Sequence, residues 1–562
     1  MKPLDLASIN ISGLNLIEAS AGTGKTWAIA SLYILLLLEK ELRPEQILVV
    51  TYTKAATAEL RERIRRRIAT TLDLYSSGRP AGDDALEQIL MTHRPQNAAR
   101  AKLLLTRALY SFDEAAIFTI HGFCQRALLE NTFESGSLFN SEMITDQSAI
   151  VHQVCNDFWR SQVLSRSNDF VERLAAEGYT PEKLAKPFEG HFQNPDLIIL
   201  PKPDPVPLEP LAVERDRRYL SAGTLWNSER TSIVKQLEEA RLNQQSYKPA
   251  QIEAAASSFD AWTAGGNAAL PNSRLEFFSA RKIATKTTKA TTRTPNHPFF
   301  SVCQELHDIL TEIEHAFQAD VISCRHDFKK WMERELSLRK KQLNQRAFDD
   351  LLLDLYRALE ADSGKALADK LRQRYHAAMI DEFQDTDPLQ WHIFRHLGAA
   401  ERYPLFLIGD PKQAIYSFRG ADVYAYLNAA RSVPPGNTHT LDTNYRSDSA
   451  LVHAVSSLFS ANPDPFMHRQ IPFHPVGSGR SGNDRLLIDG IPDIRPLNLW
   501  IYPRSDESKS VVKPVAIRSI VRAVAEEIAR LLTPEGTTLV TAKLTRPLKP
   551  GDIAVLVKSH KQ

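Results

Sequence analysis

An α/β fold with a doubly wound parallel sheet is the architecture that this sequence of 562 residues predicts. Three observations carry it. Residues 14–38 run from a short apolar segment through a glycine-rich turn to a lysine–threonine pair that opens an apolar helix. Far downstream, a second apolar segment ends in the adjacent acids Asp381 and Glu382. Strand-like and helix-like stretches alternate around both, the pattern of a parallel sheet covered by helices.

The first strand is 14–19, buried and apolar. Ser20-Ala-Gly-Thr-Gly-Lys-Thr26 follows, then helix over 26–39. Strand, glycine-rich turn, Lys-Thr and helix is the context of a phosphate-binding loop. Gly22 and Gly24 let the backbone wrap an anion with its N–H groups pointing inward, and Ala21 and Thr23 complete the cradle. The helix N-terminus adds partial positive charge. Lys25 is placed to reach the β- and γ-phosphates of ATP, and the Thr26 hydroxyl to ligate Mg²⁺. One departure stands out: Ala19 replaces the first glycine of the general G-x-x-x-x-G-K-T pattern.

Further strands are expected at 47–51 and 116–120, with a helix over 54–72. That helix carries Arg61, Arg63, Arg65, Arg66 and Arg67, either as a solvated face or as a phosphate or subunit contact. Ala377-Ala-Met-Ile380 is a short strand running into Asp381-Glu-Phe-Gln-Asp385. Asp381 at its tip suits Mg²⁺, mostly through water, and Glu382 suits orienting and deprotonating an attacking water. Leu405–Ile408 is another buried strand. Leu497–Tyr502 and Ile553–Val557 read as strands, with an amphipathic helix at Val515–Leu532.

The α/β pattern of residues 1–135 returns over 346–440, and a further region begins at about 441 and runs to 562. A loop as long as 136–345 needs its own fold, so an inserted domain is expected there. It reads as mainly helical, as in Asp146–Val163 and Pro298–Gln345, with an extended strut at Pro201–Pro207. Arg281, Lys282, Lys286, Lys289 and Arg293 mark a basic loop, either solvated or touching duplex DNA or a partner.

Composition excludes several classes. With 69 Lys+Arg and 67 Asp+Glu the net charge is +2, and 43% of residues are hydrophobic. Such a chain is globular rather than disordered or collagen-like. Its near-neutral charge offers no general attraction for nucleic acid, so any such case rests on local motifs. The 4 cysteines are too scattered for a disulfide framework or a four-cysteine zinc site, which favours a reducing, cytoplasmic setting. Ile29–Leu38 is too short to span a membrane, and Met1–Gly13 lacks a secretory pattern.

Six ordered blocks then resemble superfamily 1 DNA helicases of the UvrD/Rep type. They are Glu18-Ala-Ser-Ala-Gly-Thr-Gly-Lys-Thr26, Leu48-Val-Val-Thr-Tyr-Thr-Lys-Ala-Ala-Thr-Ala-Glu-Leu-Arg-Glu-Arg63 and Phe118-Thr-Ile-His-Gly-Phe123, then the Asp381–Asp385 block. Leu407-Ile-Gly-Asp-Pro-Lys-Gln-Ala-Ile-Tyr-Ser-Phe-Arg-Gly-Ala-Asp422 and Leu441-Asp-Thr-Asn-Tyr-Arg-Ser447 complete the set. That family tolerates Ala at the position of Ala19. The wording around the phosphate loop and Phe348-Asp-Asp-Leu-Leu352 is similar to the RecB family, the beta subunits of exodeoxyribonuclease V.

The resemblance implies a RecA-like helicase lobe with a helical insertion and an incomplete second RecA-like lobe. It implies ATP hydrolysis with Mg²⁺ driving 3′ to 5′ movement on single-stranded DNA, in double-strand break repair and recombination. Gln413 would sense the γ-phosphate, Arg446 would reach it from the second lobe, and Tyr445 would stack on adenine. Tyr52, Thr53, His121, Phe418 and Arg419 would line the single-strand channel. On the residues alone, the less favoured alternatives are that Tyr52 and Phe418 are core aromatics, His121 a buried structural histidine, and Arg446 a helix cap. Partners would be single-stranded and duplex DNA and the gamma (RecC) and alpha (RecD) subunits.

Departures accompany the likeness. Phe418 stands where many relatives have Trp, and Met1–Gly13 has no counterpart of the family's adenine-reading glutamine. The family's motifs V and VI and its nuclease cluster do not occur. The expectation is therefore an N-terminal portion of a longer protein, able to bind nucleotide but slow to hydrolyse it alone. Two other readings stay open: a P-loop ATPase or nucleotide-binding scaffold without motor activity, and a non-catalytic DNA-binding subunit.

Overall fold

A computed structural model describes the chain apart from residues 80–84, 93–96, 137–140, 193, 196, 203, 205, 244, 266–271, 289–290, 292, 401, 418–419, 481–484, 505–509, 534–536, 542–543 and 558–562. The chain divides into two compact units, Met1–Phe139 with Phe348–Gln562, and Asn140–Ala347.

The first unit is built on a parallel sheet. Its early strands are β1 (Lys2–Pro3), β2 (Leu14–Ala19), β3 (Ile47–Thr51) and β4 (Ile117–Thr119). Two short strands, β5 (Glu142–Ile144) and β6 (Gln345–Ala347), pair in parallel at the two ends of the second unit. The main sheet resumes with β7 (Ala377–Ile380), β8 (Leu405–Gly409) and β9 (Thr438–Leu441). Its seven strands lie in the order β1-β9-β2-β8-β7-β3-β4. Every pairing is parallel.

Such strands are covered on both faces, which is why they read as continuous apolar runs rather than alternating ones. Every residue of β3, β7 and β8 is buried. Helix α1 (Lys25–Glu39) is buried from Ala28 to Leu38 and sits in the same core as Ile17, Val49, Met379 and Ile408. Helix α2 (Lys54–Ser77) starts on the Thr53 side chain, which accepts from Ala56 N at 3.1 Å, and stops at Gly78 in the left-handed region, φ +69°. All the loops that leave the carboxyl ends of a parallel sheet open on one edge, where ligands of such folds bind.

The second unit is helical. The helix Leu208–Glu239 is kinked at Glu229, and Pro298–Gln342 runs for 45 residues. One core gathers Trp226, Phe259, Phe278 and Phe299, and another Phe158, Phe170, Phe317 and Phe328. The helix expected over Asp146–Val163 is a helix from Ser148 to Phe158 followed by a π turn to Val163. The basic stretch is not one free loop. Ala280–Thr285 is helical, Arg281 pairs with Asp308 at 3.3 Å, and Lys282 pairs with Glu276 at 2.8 Å. Lys289 lies outside the described residues.

Beyond residue 441 a four-stranded antiparallel sheet spans Arg485–Ile488, Ile491–Pro492, Thr537–Val540 and Thr545–Pro547. A helix occupies Lys513–Leu531. The strands expected at Leu497–Tyr502 and Ile553–Val557 do not form. Their residues are apolar enough, but a strand also requires a ladder partner. Ile501 is 87% exposed and Leu556 97%, with no neighbouring strand against either segment among the described residues.

Candidate functional site

The carboxyl ends of six neighbouring strands bring most of the expected site residues to one edge of the sheet. β2 feeds the glycine-rich loop. Gly22 and Gly24 have φ of +80° and +89°, where a side chain would be strained. The Thr23 hydroxyl donates to Ser20 O at 2.7 Å and ties the loop across its base. Lys25 and Thr26 open α1 directly behind it.

β7 delivers the acids. Lys25 Nζ lies 2.5 Å from Glu382 Oε2 and 3.8 Å from Asp381 Oδ1. Glu382 is held at φ +52°, a sparsely populated conformation that persists only where surroundings over-determine it. Burial pushes the Asp381 carboxyl up to about 6, against the pull of Lys25 and with a further push from Glu382. Burial, then Glu382, raise Asp385 to about 6 as well, with Lys25 again opposing. Asp385 Oδ1 is buried and has no hydrogen-bond partner among the described residues.

β8 ends in a second polar cluster. Gln413 Nε2 donates to Asp410 Oδ2 at 2.8 Å and stands 3.5 Å from Ala19 O, the last residue of β2. Lys412, largely enclosed, lies between two buried carboxylates, Asp410 at 2.7 Å and Glu18 in contact. Burial alone would lower the Lys412 pKa, but Glu18 and Asp410 together raise it.

The segment after β9 lies on the phosphate loop. Tyr445 N donates to Gly22 O at 2.8 Å, and Asn444 Nδ2 donates to Ala21 O at 2.9 Å. A β-carbon on Gly22 would fall 2.6 Å from Arg446 Cβ, so only glycine admits this approach. The Tyr445 ring is 62% exposed beside Gly24, open to stack on a planar group.

β3 and β4 carry the aromatic part of the edge. Tyr52 follows β3 and stacks on Tyr416, ring centroids 5.7 Å apart and 25° between planes. Thr53 spends its hydroxyl capping α2. His121, at the start of the helix Ile120–Glu130, meets Phe348 edge-on at 6.3 Å. Burial lowers its pKa against the opposing charge of Asp349, so the imidazole is neutral at pH 7. Phe418 and Arg419 lie outside the described residues.

The arginine stripe on α2 is largely paired within the lobe. Arg61 donates to Ala115 O, Arg63 pairs with Glu59, Arg66 pairs with Glu62, and Arg67 lies over the Trp27 ring. Sequence reasoning did not single out Tyr416, Gln384, Lys412 or Glu18 as site residues. Tyr416 and Lys412 flank the expected Gln413, and that proximity was the available signal. The Glu18–Lys412 pairing has no signal in a single sequence.

No helix among the described residues is long and apolar enough to cross a membrane, and all 4 cysteines are free and buried.

Residues 4–434 match the family described as UvrD/REP helicase N-terminal domain. The chain is similar along its whole length to the RecBCD enzyme subunit RecB of Escherichia coli, at 35% identity, covering 47% of that protein. It is 30% identical to the RecBCD enzyme subunit RecB of Haemophilus influenzae, again over the whole chain and 49% of the relative. Against the protein of the same name from Mycolicibacterium smegmatis, identity is 28% over 97% of this chain and 38% of the relative. The chain thus spans about half the length, or less, of these curated relatives.

Proposed function

The chain belongs to the UvrD/REP helicase family, and from that premise we propose that it is an ATP-dependent DNA helicase and translocase subunit of a RecBCD-type exodeoxyribonuclease V. Its work is double-strand break repair and recombination in the cytoplasm, together with gamma (RecC) and alpha (RecD) subunits, on single-stranded and duplex DNA.

One observation carries the reading. The anion cradle at Gly22 and Gly24, the acid pair Asp381 and Glu382, and the Tyr52–Tyr416 stack all stand on the same edge of one parallel sheet. A rearrangement at the nucleotide therefore has a short, rigid route to the bases.

The donor set fits Mg²⁺ held jointly with nucleotide phosphates. No group of three or more His, Cys, Asp or Glu among the described residues could hold a metal by itself. Mg²⁺ commonly takes one or two protein oxygens and fills its shell with water and phosphate. The hard oxygens here are Asp381 and the Thr26 hydroxyl. When bound, the cation neutralises charge that develops on the phosphates.

The protein's own residues do the rest. Backbone N–H groups from Ala21 to Thr26 bind the phosphates, and Lys25 leaves Glu382 to meet them. Glu382, freed of its lysine, orients a water and takes its proton. Gln413 donates its amide to the γ-phosphate, and Arg446 brings a guanidinium to the charge formed in transfer. Tyr445 stacks on the base. Tyr52, backed by Tyr416, stacks on a base of the strand, and Thr53, His121, Phe418 and Arg419 are assigned to bind the same strand, each base stack contributing about 1–3 kcal/mol.

ATP turnover with and without oligothymidylate tests the proposal. Stimulation by the oligonucleotide, lost in Lys25→Ala and in Tyr52→Ala, is the expected result. Stimulation that survives Tyr52→Ala points instead to a nucleotide-binding scaffold.

A further inference from the structure

Glu382 has two partners, and one of them is due to leave. Its Oε2 accepts from Lys25 Nζ at 2.5 Å and from Gln384 Nε2 at 2.7 Å. A phosphate in the loop draws off the lysine. The amide of Gln384 then remains.

That amide is used at both ends. Its Oε1 accepts the backbone N–H of Asp410 at 3.0 Å, while the Asp410 carboxylate accepts from Gln413 Nε2 at 2.8 Å. Gln384 is 2% exposed, so water cannot substitute for either partner. Chemistry also fixes the orientation of the amide. Turned over, it would set oxygen against the Glu382 carboxylate and N–H against the N–H of Asp410. Gly409 makes room, because a β-carbon there would lie 2.6 Å from Gln384 Oε1.

We propose that Gln384 is a positioning residue that ties Glu382 to Gln413, so that the water-activating acid and the γ-phosphate amide shift together. The proposal rests on the roles given to those two residues above. Gln384 touches no substrate atom. A buried amide that loses one partner carries the full cost of the unmet group, which makes the link stiff.

The test is equilibrium binding of Mg·ADP and of a non-hydrolysable Mg·ATP analogue to the full chain. Q413A is expected to reduce the preference for the ATP analogue about tenfold. Q384M is expected to reduce it about as much, the double variant no further, and ADP affinity to stay within about twofold in each. A structural role alone would weaken both ligands together. Should Q384M lose ADP binding as well, Q384E decides, being isosteric but placing a carboxylate against Glu382: it too is expected to lower the preference. A wild-type preference in Q384E, in Q384M while Q413A loses it, or strict additivity in the double variant would overturn the link. A wild-type preference in Q413A would instead remove the sensor role of Gln413, and the link with it.

Discussion

The ammonium of Lys25 stands 2.5 Å from the carboxylate of Glu382. On the roles proposed above, the lysine that would meet phosphate is paired with the acid that would activate water, so nucleotide binding would have to separate this ion pair before forming a new one. Glu382→Gln removes that competition. Its ATP affinity is expected to rise a few-fold while turnover falls about 10²–10⁴-fold, the range for losing a general base. Titration calorimetry and single-turnover hydrolysis check the two halves, and unchanged affinity would show that the pair does not compete with phosphate.

The Lys412 ammonium sits between the buried carboxylates of Glu18 and Asp410. Removing the cation leaves two carboxylates buried without their partner. Lys412→Met is expected to lower stability by about 3–5 kcal/mol. Urea denaturation checks this, and adding Glu18→Gln should recover part of the loss.

Asp385 sets a pH dependence. Its carboxyl titrates at about 6 in the folded chain, and an exposed aspartate at about 4. Folded protein then binds more protons than unfolded protein between those values. Stability contributed by this group falls as pH rises from about 4 to 6, and the cost, about 2–3 kcal/mol, is complete above that. Asp385→Asn should flatten the decline seen in urea midpoints between pH 4 and 7. It should not abolish it, because Asp381 titrates in the same window. Parallel pH curves for the two proteins would contradict this assignment.

Tyr416 supports Tyr52 through a parallel stack. Tyr416→Ala should weaken single-stranded DNA binding about tenfold, in line with the loss of one base stack, and leave ADP affinity unchanged. His121→Ala should leave the salt dependence of binding unaltered, because a neutral imidazole releases no counterion from DNA. Fluorescence anisotropy at several salt concentrations reads both.

Much of the sheet was legible because β2, β3, β4, β7 and β8 each carry their own apolar signal, whereas the two-residue β1 and the polar β9 (Thr438–Leu441) carry none. β2 and β7 are apolar runs that end in chemistry, a glycine-rich turn and an acid pair, and both lie where the pattern puts them. Trp500 and Ile501 show the limit. Their segment has the residues of a strand, but no pattern within it states whether a partner strand exists. The polar cluster at Lys412 was hidden for a similar reason. Glu18 and Lys412 are far apart in sequence, and only the adjacency of β2 and β8 brings them together. Gln384 was unassigned because its value lies in two bonds to residues from different strands.

On the proposed function, one sheet edge couples nucleotide state to the grip on DNA. The most direct test of that coupling is the affinity of the chain for fluorescein-labelled oligothymidylate, with Mg·ADP and with a non-hydrolysable Mg·ATP analogue. The expected result is about a tenfold difference between the two states, erased by Lys25→Ala. Equal affinity in both states, with both nucleotides shown to be bound, would contradict it.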